Sequence, residues 1–78
     1  MVSLTLYTRH GCHLCEDMLQ SLQKWQKHYD FSLNVVDIDS DSVLQQRYDE
    51  WVPVLMDGEQ ELCHYHLDEQ VLKQLLDS

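Results

Sequence analysis

A chain of 78 residues with a hydrophobic fraction of 44% can fold as one small domain, expected to span residues 1–78. Fourteen acidic against five basic residues give a formal charge of −9, which argues against nucleic acid and anionic membrane as partners, since both need a positive footprint. No apolar run approaches the roughly 20 residues that cross a bilayer, and the first residues lack the basic and long apolar regions of a secretory signal, so a cytoplasmic location is expected.

The first six residues after Met1, Val2-Ser3-Leu4-Thr5-Leu6-Tyr7, put Val2, Leu4 and Leu6 on one face by alternation and predict a strand. Thr8-Arg9-His10-Gly11 is the turn that follows. Leu14, Met18, Leu22, Trp25 and Tyr29 then fall on one helical stripe, with Glu16 and Asp17 early and Lys24 and Lys27 late, as the helix dipole favours. Phe31 to Ile38 reads as a second strand. Asp39 or Ser40 is expected to cap a short helix carrying Val43, Leu44 and Tyr48. Pro53 to Met56 predicts a third strand, Asp57-Gly58 a hairpin turn, and Glu61 to Tyr65 a fourth strand. Leu67, Val71, Leu72, Leu75 and Leu76 form the apolar stripe of a final helix, with Asp68 near its start.

The order is therefore βαβαββα. Strands separated by a helix pair in parallel with a right-handed crossover, and strands joined by a tight turn pair antiparallel. A four-stranded mixed sheet with helices on both faces satisfies both conditions.

Cys12-His13-Leu14-Cys15 sits at the junction of the first strand and first helix. Two thiols three positions apart can close and reopen a small ring. Free backbone N–H groups and the helix dipole lower the pKa of the leading thiol, and Arg9 and a protonated His13 add positive charge nearby. Cys12 is the candidate attacking thiol and Cys15, one turn inward, the candidate resolving thiol. An odd total of three cysteines does not make a structural disulfide framework. A zinc site would need ligands beyond Cys12 and Cys15, and no second CxxC or spaced His pair supplies them in a familiar pattern, so no metal is expected. The only proline, Pro53, follows at Val52-Pro53. Although only about 5–6% of X–Pro bonds in folded proteins are cis, the upstream CxxC predicts a cis bond here.

Leu4-Thr5-Leu6-Tyr7-Thr8-Arg9, Gly11-Cys12-His13-Leu14-Cys15, Val36-Asp37-Ile38-Asp39, Val52-Pro53-Val54-Leu55 and Asp57-Gly58 occur in the order found in the thioredoxin superfamily. Over nearly its whole length the chain resembles the small glutaredoxin-like proteins of that superfamily. The resemblance implies an α/β, thioredoxin-like fold of glutaredoxin type, with strand order 2-1-3-4 and three flanking helices. It implies that Cys12 is the nucleophile, Cys15 the resolving thiol and Pro53 the cis-proline, and that Val52 offers main-chain hydrogen bonds to a bound peptide or glutathione. Arg9 falls where glutaredoxins carry a basic residue for the glutathione glycine carboxylate. Leu6 stands where thioredoxins keep a buried acid, which favours the glutaredoxin branch. His13 and Leu14 replace the usual Pro-Tyr, Trp51 the common threonine, and Cys63-His64 the Gly-Gly pair.

Trp51 either stacks on a substrate or packs the second helix against the sheet. Cys63 is expected as a small buried hydrophobe, Tyr7 as a core residue, and His64 and His66 as a solvent-facing pair on one strand face. Asp37, Asp39 and Asp41 are expected in turn and capping roles. The candidate substrate contacts are Arg9, His13, Trp51, Val52 and Pro53. The expected function is thiol–disulfide exchange on protein or glutathione mixed disulfides by a monomer, with no tightly bound cofactor and glutathione as a co-substrate. The alternative is an interaction or redox-sensing module with weak or no turnover.

Overall fold

Leu4 and Leu6 are fully buried in the middle of the first strand, β1 (Val2–Thr8), and the remaining elements are arranged around them. The computed structural model describes residues 2–77. The elements after β1 are α1 (His13–Gln26), β2 (Phe31–Asp37), α2 (Ser42–Tyr48), β3 (Val54–Asp57), β4 (Gln60–His64) and α3 (Glu69–Asp77). The sheet order is β2-β1-β3-β4. β1 and β2 run parallel from Val2–Phe31 to Thr8–Asp37, whereas β1 pairs antiparallel with β3 and β3 with β4. This is the mixed thioredoxin-like sheet expected for βαβαββα.

One face of the sheet carries the main core. Leu4 and Leu6 from β1, Phe31 from β2 and Leu55 from β3 pack with Met18 and Leu22 of α1 and Leu72 of α3. Burying an aliphatic side chain of this size contributes about 1.5–3 kcal/mol. On β1 the next residue after Leu6 points to the other face, where the Tyr7 ring stacks on Tyr48 of α2 with centroids 4.7 Å apart. Tyr7 is thus half-buried beside α2 and lies outside the main core.

The elements depart from the sequence reading in several places. Helix α1 ends at Gln26, so Tyr29 lies beyond it, although its ring still stacks on Trp25 at 5.5 Å. Asp77 at the end of α3 interacts with the Tyr29 hydroxyl, and that interaction, more than burial, raises its pKa. Ile38 leaves the strand and opens a short 3-10 turn over Ile38–Ser40, where it is fully buried. That turn moves the start of α2 on, so Asp41 rather than Asp39 or Ser40 caps it: the Asp41 carboxylate accepts from Val43 and Leu44 N–H at 2.9 and 3.4 Å. Val43, expected on the apolar side of α2, is 66% exposed.

The β3–β4 loop is Gly58-Glu59, one residue later than the expected Asp57-Gly58 pair, because Asp57 and Gln60 still pair. Gly58 has φ +62° and Glu59 does not share that left-handed region, the pattern of a type II′ turn with glycine first. β4 stops at His64, so His64 and His66 do not share a strand face. Asp68 caps α3 by accepting from Val71 N–H at 3.2 Å.

Candidate active site

The end of β1 and the start of β3 meet at one end of the sheet. Tyr7 is paired with Val54, and Thr8 and Pro53 are each the next residue outward. The same end carries the junction into α1. Gly11, at φ +75°, makes the turn possible, since side chains rarely adopt that backbone conformation. Cys12 N–H donates to Arg9 carbonyl at 3.2 Å, which closes the turn.

Cys12 is the N-cap of α1. Its backbone is extended (φ −87°, ψ 111°), and its Sγ accepts from Cys15 N–H at 3.2 Å. Cys12 and Cys15 are joined as a disulfide, with Cα atoms 5.2 Å apart. One turn of helix separates two different environments. Cys12 is partly exposed and Cys15 is 3% exposed. The two cysteines form part of a cleft of about 220 Å³ that also includes Arg9, His10, Glu16 and Asp37.

Arg9 forms the wall between that cleft and a second one of about 380 Å³, lined by Gln45, Gln46, Asp49, Glu50 and Trp51. Its Nε lies 3.3 Å from Asp39 Oδ1, and its Nη1 is in direct contact with Asp49 Oδ1. Asp39 also accepts from Gln45 Nε2 at 2.9 Å. The Gln45 bond is the main cause that holds the Asp39 carboxyl below its ordinary pKa range; it outweighs desolvation, and the Arg9 charge adds a smaller lowering.

The other expected contacts are spread around this end. His13 is the first residue of α1 and is exposed. The Val52–Pro53 bond is cis, Pro53 is buried, and neither residue lines the two clefts. Trp51 does not pack α2 against the sheet. Trp51 is 47% exposed, and its ring rests against the end of β4, edge-on to His64 at 5.3 Å and stacked near Tyr65 at 6.1 Å. His64 Nδ1 also lies 3.5 Å from Glu61 Oε2.

Tyr65 is a residue that the sequence reading gave no role. It has φ +64°, unusual for a side chain of its size. Its N–H donates to Pro53 carbonyl at 2.9 Å and its hydroxyl to Glu50 carbonyl at 2.7 Å, so it straps the 50–53 segment to the end of β4. A glycine or asparagine would have signalled that backbone conformation; a tyrosine does not. Cys63 is a free thiol, half-buried against the core, and burial is the main reason its pKa is raised. Among the described residues, no three His, Cys, Asp or Glu side chains gather as a metal site, and no helix is long and apolar enough to cross a membrane.

A β2-β1-β3-β4 sheet whose first strand runs into a helix through a closed CxxC ring defines a thioredoxin-superfamily domain equipped for thiol redox chemistry. Within that class the chain belongs to the glutaredoxin-like family: the model of the Glutaredoxin-like domain (DUF836) matches residues 3–77. The chain is 44% identical to protein Ne2328 from Nitrosomonas europaea, whose solution structure superposes with a TM-score of 0.84 over 96% of this chain and 91% of that one. It is 36% identical to protein XcR50 from X. campestris, with a TM-score of 0.75 over 95% of each chain. Thioredoxin 1 from Thermosipho africanus, 19% identical, shares the fold with a TM-score of 0.66 over 96% of this chain and 94% of that one. No curated protein matches the sequence.

Proposed function

We propose that the protein is a thiol–disulfide oxidoreductase that cycles Cys12 and Cys15 between dithiol and disulfide. The supporting observation is the unequal setting of the two sulfurs: Cys12 partly exposed at the helix N-cap and Cys15 buried behind it. In the reduced protein, the Cys15 N–H and the positive end of α1 favour a Cys12 thiolate. That thiolate attacks a substrate disulfide, forming a mixed disulfide and releasing one substrate thiolate, which takes up a proton. Cys15 then loses its proton and attacks Cys12 Sγ. The second substrate thiolate leaves, and the Cys12–Cys15 disulfide is formed. An external dithiol, or two molecules of glutathione, returns the two electrons.

The reading places the protein in the reducing cytosol as a monomer, with protein disulfides or glutathione as co-substrates and Arg9, His13, Trp51, Val52 and Pro53 around the substrate. Coupled reduction assays with glutathione plus its reductase, and with thioredoxin reductase, test it. Cys12→Ser is expected to abolish turnover and Cys15→Ser to trap mixed disulfides. Turnover unchanged by Cys12→Ser would sink the mechanism.

The exposed ring of Trp51 beside His64 and Tyr65 favours a second reading, an interaction or redox-sensing module with weak or no turnover. A partner retained by Cys12→Ser and lost in Trp51→Ala would identify it.

A further inference from the structure

Among the described residues, Arg9 is the one lysine or arginine lining the cleft at the disulfide or the second cleft that shares Arg9 with it, against the carboxylates of Glu16 and Asp37 in the first and Asp49 and Glu50 in the second. Its guanidinium is already held by Asp39 and Asp49. Asp39 is in turn fixed by Gln45, so the pair is braced from α2 rather than formed by two loose side chains. The Glu50 carboxylate has no partner among the described residues, and the exposed face of Trp51 adjoins it in the same cleft. An incoming carboxylate meets a neutralised cation and a surplus of negative charge. An incoming ammonium or guanidinium meets a free carboxylate and an aromatic face, both of which attract it.

We propose that Asp39 and Asp49 are specificity-determining residues: by occupying Arg9 they turn the site away from small anionic thiols such as glutathione and toward protein disulfides flanked by lysine or arginine. This deepens the oxidoreductase reading and rests on it for the word substrate. The binding preference itself can be measured without turnover.

The probe is S-methylglutathione, which carries two carboxylates and one ammonium group and has no thiol to react. It is titrated by NMR into the disulfide form of the wild type, Asp49→Asn, Asp39→Asn/Asp49→Asn, and Arg9→Ala/Asp49→Asn. Releasing Arg9 is expected to tighten binding about three- to fivefold in Asp49→Asn and further in the double variant, the scale of one exposed ion pair. Adding Arg9→Ala is expected to cancel the gain. Equal or weaker binding in both Asn variants, a gain that survives Arg9→Ala, or no binding in any variant would each overturn the proposal.

The companion measurement compares kcat/KM for two peptide disulfides that differ only in a flanking lysine or glutamate. The lysine peptide is expected to be favoured at least threefold at low salt, with the margin shrinking as salt screens the charges. Equal rates, or a preference for the glutamate peptide, would overturn the proposal. Absence of any Cys12-dependent turnover would instead remove the oxidoreductase reading, and the titration would still decide the role of Asp39 and Asp49.

Discussion

The three cysteine sulfurs occupy three different environments. Cys12 caps a helix and receives an N–H, Cys15 is sealed beneath it, and Cys63 sits half-buried on β4 against the core. Burial raises the Cys63 pKa, because the thiolate is the form that loses hydration. A raised folded-state value means that the folded chain holds the proton more tightly than the unfolded one. The stabilisation is therefore complete below the ordinary thiol pKa and is lost as pH rises through the folded value. In Cys12→Ser/Cys15→Ser, where Cys63 is the sole thiol, alkylation is expected to be slower than for a free cysteine peptide at pH 8. The rate should keep climbing at pH values where the peptide has levelled off. Equal rates at pH 8 would show that Cys63 is not protected. The redox pair was legible at this scale because its spacing and its place before a helical stripe are local facts. The Tyr65 backbone was not, because its φ is set by bonds to Glu50 and Pro53 on a distant segment.

Helix α2 buries little of itself and depends on its ends. It has seven residues, none of them fully buried, too few to persist by propensity alone. The Asp41 carboxylate satisfies two of its free N–H groups. Asp41→Ala is expected to cost about 1 kcal/mol in urea denaturation, whereas Ser40→Ala, outside the capping position, should cost less. Equal losses would show that Asp41 is not the dominant cap. Asp39, Ser40 and Asp41 are all capable caps by residue type. Only the 3-10 turn made by burying Ile38 selects the last of them. The β3–β4 hairpin illustrates the same limit. Gly58 is the residue that must be left-handed, and its position was readable, but the pairing of Asp57 with Gln60 set the loop one residue later than the dipeptide signal implied. Gly58→Val is expected to lose roughly 1–2 kcal/mol by thermal or urea melting, because a β-branched side chain is strained at φ +62°.

The molecule as a whole holds the site together through one shared core. Leu22 of α1 is fully buried and packs with Leu4, Leu6, Leu55 and Leu72, so it ties the CxxC helix to the central strand, to β3 and to α3. Leu22→Ala is expected to cost about 2–5 kcal/mol, most of the stability of so small a domain. Loss of the cooperative urea transition, or a midpoint shift of that size with an unchanged slope, is the expected result; a shift below 1 kcal/mol would show that the contact contributes little.

What the sequence determined by itself was the element order, the mixed sheet, the main apolar stripes and the two cysteines at a helix start. Each depends on residues within a few positions of one another, where periodicity and turn chemistry act directly. Tertiary structure alone decided that Arg9 is neutralised across 40 residues by Asp49, that Trp51 rests against the end of β4, and that Tyr65 straps the segment carrying Pro53. Those contacts exist because antiparallel pairing of β1 with β3 brings the end of one strand to the start of another, and no local pattern in the chain encodes which side chains meet there.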